Sequence, residues 1–176
     1  MAKEINRAKN ARQRRREKYS SALENGDNNT FYLLELERAK RLKEFLQLLY
    51  ETNNSTPLIV EGKRDLLALR KLGFTGEIIA VHSGSGLYDF CHSILERFNK
   101  VILLMDWDQN GDILQKKLSD NLHGLWEEFS HFREVLKMLC QKDIKAIEDI
   151  PILLKRLSGT DVKVGESDGL LDKTIL

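Results

Sequence analysis

Two short apolar runs, each stopping abruptly in carboxylates, constrain this chain more than any other feature. Leu58-Ile59-Val60 runs into Glu61-Gly62-Lys63-Arg64-Asp65, and Val101-Ile102-Leu103-Leu104-Met105 runs into Asp106-Trp107-Asp108-Gln109-Asn110-Gly111-Asp112. A brief continuous apolar run bounded by polar residues fits a strand buried on both faces, as in a parallel sheet covered by helices. In such open α/β sheets, ligands bind in the crevice beyond the carboxyl ends of the strands, where the strand order changes direction. If the two strands lie side by side, Glu61, Asp106 and Asp108 converge there.

The rest of the pattern supports a parallel sheet. Strands are expected near 58–61, 77–81 and 101–105, alternating with helices near 64–72, 87–98 and 111–122. Gly73 fits the end of the first of these helices, because glycine accepts the left-handed conformation found there. After Gly124 the pattern is helical through Leu139, and 147–157 reads as another helix. Upstream, Phe31, Leu34, Leu42, Phe45, Leu46 and Leu49 recur at helical spacing, with Glu37 four residues before Arg41 on the polar side, which predicts an amphipathic helix over about 30–51. The organisation expected is a basic arm and helical extension over 1–54, an α/β domain over 55–157 and a loosely packed tail over 158–176.

The chemistry follows from oxygen donors. Asp106 and Asp108 are two residues apart, so in an extended segment both side chains leave the same face. That spacing suits a hard cation. Mg2+ takes oxygen ligands, keeps several waters and typically uses one or two protein carboxylates together with substrate phosphate. Several carboxylates held this close repel one another, so at least one tends to keep its proton unless a cation is bound. Glu61 can serve as a ligand, as a proton-transfer group or as a helix-capping acid. Asp112 reads as an outer acid or, preferably, as a negative charge complementing a helix N-terminus.

These residues resemble the Toprim domain of topoisomerases, primases and related nucleases, in which a strand runs into Glu-Gly and a second motif reads Asp-x-Asp-x-x-Gly. The resemblance covers about residues 56–155 and is nearest to small single-domain, archaeal-type Toprim proteins. One such compact protein is a ribosomal-RNA maturation nuclease whose glutamate motif also reads Glu-Gly-Lys. It implies a Toprim-like, Rossmann-like parallel sheet flanked by helices, with Glu61, Asp106 and Asp108 as catalytic or metal-ligating residues and Mg2+, with Mn2+ as a substitute. It also implies that Asp65 completes the acidic cluster, although an ion pair with a neighbouring lysine or arginine fits as well. The fourth strand usual in that family has no clear counterpart.

Phosphate contacts have two sources. Ser83-Gly84-Ser85-Gly86 follows the second expected strand and precedes a helix, so Gly84, Ser85 and Gly86 can offer backbone N–H groups to an anion or form a plain turn. Lys63 and Arg64 can neutralise a phosphate or simply begin a helix, and His82 reads as a structural histidine. The near-neutral total charge hides an asymmetry: Lys3, Arg7, Lys9, Arg12, Arg14, Arg15, Arg16 and Lys18 face only Glu4 and Glu17 within the first 18 residues. Such an arm suits a polyanion, binding through counterion release without sequence preference. Arg12, Arg14, Arg15 and Arg16 are accordingly candidate nucleic-acid contacts, with RNA preferred to DNA. Trp107 and Trp126 read as core residues with stacking on bases as the alternative.

No apolar stretch approaches the roughly 20 residues of a membrane helix. Cys91 and Cys140 lack partners at metal-ligand spacing and read as buried reduced thiols of a cytoplasmic protein. A topoisomerase would need a tyrosine nucleophile and a strand gate, with Tyr88 the one tyrosine near the glycine loop, and a primase would need further modules. Hydrolysis needs less. The expectation is a Mg2+-dependent, nuclease-like protein acting on structured RNA or DNA. The alternative is a non-catalytic module that docks on a ribonucleoprotein such as the ribosome.

Overall fold

The computed structural model describes residues 27–81 and 86–165. Arg12, Arg14, Arg15, Arg16, His82, Gly84, Ser85 and the tail from residue 166 therefore lie outside the described residues. Contacts divide the chain into two units between Arg38 and Ala39.

Helix α1 spans Asp27–Asn53, a stretch free of glycine and proline. Within the second unit, Ala39, Leu42, Leu46 and Leu49 form a fully buried stripe at helical spacing. Each such leucine contributes about 1.5–3 kcal/mol by leaving water. Phe45 packs on Phe132 with ring centroids 5.5 Å apart. Within the first unit the described residues differ: Phe31, Tyr32, Leu33, Leu34 and Leu36 are all exposed. The expected apolar seam is thus a core element only from Ala39 onward. Asn53 ends α1 by donating from Nδ2 to the carbonyls of Thr56 (3.1 Å) and Glu77 (2.9 Å).

The sheet has three strands among the described residues, β1 (Leu58–Val60), β2 (Ile78–Ala80) and β3 (Ile102–Leu104), in the order β2-β1-β3. Both pairings are parallel, and β1 is central: Leu58 is opposite Ile78 and Ile102, and Val60 is opposite Ala80 and Leu104. Helices α2 (Lys63–Lys71), α3 (Leu87–Arg97) and α4 (Gln109–Asn121) follow the strands in turn. Then come a 3-10 turn at Glu127–Phe129, α5 (His131–Cys140), a second 3-10 turn at Ile147–Asp149 and α6 (Ile150–Ser158).

The period-two alternation of strand side chains sorts the core into two layers. Leu58, Val60, Ile102 and Leu104 pack with residues of α1, α2, α5 and α6. Ile59, Val101, Leu103 and Met105 pack with α3 and α4. Helices therefore cover both faces, which is why these strands are apolar at every position. Cys91 and Cys140 are buried and form no disulfide among the described residues. Trp107 and Trp126 belong to the two core layers, Nε1 of Trp107 donating to the Ile144 carbonyl at 2.7 Å and that of Trp126 to the Ser119 carbonyl at 3.3 Å.

Beside the exit of β3, where a fourth strand would pair, runs the segment 144–147, whose Lys145 carbonyl accepts from the Trp107 amide at 3.0 Å. Packing also continues beyond Ser158. Val164 is buried, and its amide donates to the Leu72 carbonyl at 2.7 Å. Gly73 (φ 102°) could not carry a side chain there, since a Cβ would lie 2.8 Å from the Val164 oxygen. No helix of the described residues is long and apolar enough to cross a membrane.

Candidate metal and phosphodiester site

The chain leaves central β1 toward β2 on one side and returns to β3 on the other, so the strand order reverses at β1. A crevice between the carboxyl ends of β1 and β3 follows from that topology. Glu61 stands directly after β1, and Asp106 two residues after β3.

The exit of β1 turns at once into α2. Gly62 is its N-cap in an extended conformation, and its amide donates to Asp65 Oδ2 at 2.8 Å. Asp65 is thereby drawn inward and is only 5% exposed. It belongs to the acidic group rather than to an ion pair with a neighbouring cation, none of which reaches it among the described residues. Burial holds its carboxyl above the ordinary range, Glu148 adds to that effect, and the Gly62 N–H opposes it. Oε2 of Glu61 is shielded from solvent.

The exit of β3 is more elaborate. Oδ1 of Asp106 accepts from the Ile147 amide at 2.8 Å. Burial first, and then the charges of Asp65, Glu61 and Asp108, push the Asp106 carboxyl up to about 7, against the lowering by that amide. Asp108 caps α4, its Oδ1 accepting from the Gly111 amide at 2.8 Å. Gly111 is required by space: a Cβ there would lie 2.0 Å from the Asp106 carbonyl oxygen. The last residue of Asp-x-Asp-x-x-Gly is small because α4 starts against the backbone of the first.

Asp112, in the first turn of α4, is ion-paired with Arg133 and lies 3.7 Å from Lys137. The hydrogen bond from Arg133 holds its carboxyl below the ordinary range. Arg133 itself is 4% exposed. Its Nε donates to the Met105 carbonyl at 2.9 Å and its Nη2 to the Asp106 carbonyl at 2.6 Å.

The fold thus brings Glu61, Asp65 and Asp108 within reach of the Asp106 carboxyl. As the side chains stand, no three His, Cys, Asp or Glu residues among the described residues converge on a metal-sized point. Lys63 and Arg64 are exposed at the start of α2, where Arg64 lies 3.9 Å from Glu148, and Gly86 is the exposed N-cap of α3. Arg133 and Glu148 were not singled out by sequence. The short apolar alternation ending in Glu148-Asp149 resembles the other acid-terminated runs and could have marked Glu148; nothing local marks Arg133.

A surface cavity of about 640 Å3 opens at the other end of the sheet, lined by Pro57, Arg97, Phe98, Lys100 and Glu128 among others. Its cations are matched, Arg97 by Glu77 and Lys100 by Glu128. The acids lie at the opposite ends of the strands.

The Toprim domain family matches residues 56–138. A UPF0292 protein of Methanosarcina barkeri is 38% identical over 124 residues, covering 68% of this chain and 85% of that protein. A UPF0292 protein of Methanosarcina acetivorans is 36% identical, covering 76% of this chain and 94% of that protein. One of Pyrococcus horikoshii is 38% identical over 70% of this chain and 91% of its own length. A solved structure of a protein from Aquifex aeolicus aligns at 28% identity with a TM-score of 0.49, over 60% of this chain and 94% of that one.

Proposed function

Because this chain belongs to the UPF0292 family of Toprim-domain proteins, a family-level role in metal-dependent nucleic-acid handling is its starting point, and we propose that it is a Mg2+-dependent, nuclease-like enzyme of structured RNA or DNA. The observation that carries this reading is the group of four carboxylates at the switch point, with Asp106 held up to about 7 by burial and by its three acidic neighbours. An all-oxygen, mutually repelling donor set fits a hard divalent cation and suits neither Zn2+ nor copper, which favour nitrogen and sulfur. The fit is to a cation that keeps most of its waters, since only one or two carboxylates need touch it.

Asp106 and Asp108 would hold the metal, with Glu61 and Asp65 as further oxygens from the β1 side. When bound, Mg2+ supplies charge stabilisation for the phosphoryl oxygens and a more acidic water. Glu61, when not a ligand, would accept the proton of the attacking water or return one to the leaving oxygen. Lys63 at the start of α2 and the backbone of Gly84, Ser85 and Gly86 would orient the substrate phosphate. The arm bearing Arg12, Arg14, Arg15 and Arg16 would add salt-sensitive affinity.

The exposed apolar opening of α1, next in sequence to that arm, favours a second reading. In it, the extension docks on a ribonucleoprotein such as the ribosome, and the acids form a regulatory metal pocket. One experiment separates the two: end-labelled RNA and DNA panels with Mg2+ or Mn2+, beside an Asp106→Asn/Asp108→Asn double variant. Cleavage by the parent alone is the expected result. Equal binding by both proteins without cleavage, lost when residues 1–18 are deleted, would replace the enzyme with the docking module.

A further inference from the structure

Resting on the metal reading above, we infer that Arg133 is a positioning residue for the acidic site, fixing the direction in which Asp106 and Asp108 leave β3. Burying a guanidinium is costly unless its donors are matched, and a well-packed apolar side chain would serve the core as well or better. Arg133 is nevertheless buried on α5, and while its Nη1 donates to Glu134 at 3.3 Å, its Nε and Nη2 point at the segment that carries the acids. Nε and Nη2 form a fork on two successive carbonyls, those of Met105 and Asp106, at 2.9 and 2.6 Å. These carbonyls lie just past Leu104, where the ladder between β1 and β3 has ended. The direction of a peptide carbonyl fixes the orientation of its peptide plane, so holding two in succession sets the bearing of the Asp106 side chain between them.

The same Nη2 also holds Asp112. Asp112 lies one residue after Gly111, whose amide is capped by Asp108. The turn bearing Asp108 is therefore referenced to the same cation as the strand end bearing Asp106. Asp112 and Glu134 both pair with the guanidinium and offset its charge, which suits a group meant to brace a cation site. Lysine could supply the charge but not the planar fork.

The test compares the full-length parent, Arg133→Lys and Asp112→Asn by Mn2+ affinity, measured by electron paramagnetic resonance, together with thermal melts. Outer-shell groups of this kind typically change metal affinity about 10–100-fold, so Arg133→Lys is expected to weaken Mn2+ binding by about 10-fold or more while its circular dichroism stays that of the parent. Asp112→Asn keeps the carbonyl fork and is expected to lose no more than about threefold, below that range. A folded Arg133→Lys with parental affinity overturns the inference and leaves the metal reading standing. A parent that binds Mn2+ no better than the Asp106→Asn/Asp108→Asn variant sinks the metal reading, and the inference with it. If Arg133→Lys does not fold alone, its melt is repeated in excess Mn2+. Recovery supports the coupling of Arg133 to the site, whereas no recovery assigns Arg133 to the fold alone.

Discussion

The exits of β1 and β3 bring their acids within reach of Asp106 but hold them by different means. At β1 the main device is local: Gly62 caps α2 and Asp65, three residues on, reaches back to its amide, with the backbone N–H of Glu148 a further donor from outside the turn. At β3 the devices come from far along the chain. The Asp106 carbonyl is held by Arg133, 27 residues away, and its carboxylate by the amide of Ile147, 41 residues away. Only the Asp108 cap is local there. The β1 acid is thus presented by a turn that forms with its own helix, whereas the β3 acids depend on the docking of α5 and of the segment that follows it. Substitutions at β3 should consequently cost more and reach further.

The largest effect is expected at Gly111. A Cβ would stand 2.0 Å from the Asp106 carbonyl oxygen and 2.6 Å from its carbon, so α4 would have to retreat from the strand end. Gly111→Ala should cost more than about 3 kcal/mol in urea unfolding, beyond the usual penalty for an overpacked site. A loss under about 1 kcal/mol, well inside that ordinary penalty, would show that the β3 exit yields freely and would break the contrast.

Next comes Asp106, where stability should depend on pH. Its folded pKa is raised to about 7 from 3.8, so between these values the folded state keeps a proton that the unfolded state has released. The stabilising contribution is full below 3.8 and is lost as pH rises through about 7. Asp106→Asn keeps an acceptor for the Ile147 amide and removes the charge. In chelator at pH 8 it should be more stable than the parent by about 1–3 kcal/mol, with the difference gone at about pH 3.5. Adding Mg2+ at pH 8 should raise the melting temperature of the parent but not that of the variant. A parent as stable as the variant at pH 8 in chelator would mean that Asp106 is not under this strain.

What could be read from sequence divides along the same line. The buried strands and the acids that end them were legible, because a strand buried on both faces is apolar at every position and its end is marked by the first charge. The cap by Asp65 involves neighbours, although the sequence offered an ion pair as readily. Arg133 was not legible, since an arginine on an amphipathic helix looks the same whether it faces solvent or two carbonyls. The fourth strand could not be placed because the segment beside β3 offers one backbone bond from Trp107 rather than a ladder. The seam of α1 shows the converse: Phe31 and Leu34 share its spacing yet are 45% and 63% exposed, because periodicity marks a face and not how deeply that face is buried.

Asp108 has a capping role and a proposed metal-binding role that substitution can separate. Asparagine caps a helix about as well as aspartate, so Asp108→Asn should fold like the parent and lose metal affinity. Asp108→Ala should lose both, with about 1 kcal/mol of stability going with the cap. If the two variants bind Mn2+ equally weakly and differ in stability by that amount, the cap and the ligand are independent. Equal stability would mean that α4 is held by Gly111 and the Arg133–Asp112 pair without help from its cap.

The smallest effect is expected at Gly62, and it is the sharpest check on the β1 side. Its backbone is extended (φ −145°, ψ −178°), and the nearest atom a Cβ would meet is Asp65 Oδ2 at 3.9 Å, an ordinary contact. Nothing in the folded chain therefore demands glycine. Two modest terms oppose each other in Gly62→Ala: alanine is the poorer N-cap by about 0.5–1 kcal/mol, while the stiffer unfolded chain returns about 0.4–1 kcal/mol. The net change should fall within about 0.5 kcal/mol of zero, and the Asp65 bond to the residue 62 amide should survive, since it uses backbone that alanine retains. A loss approaching that of Gly111→Ala would place a demand on Gly62 that the folded protein does not impose. A loss confined to Mn2+ affinity, with the melt of the metal-free chain unchanged, would instead point to a phosphate or metal drawn close to that backbone.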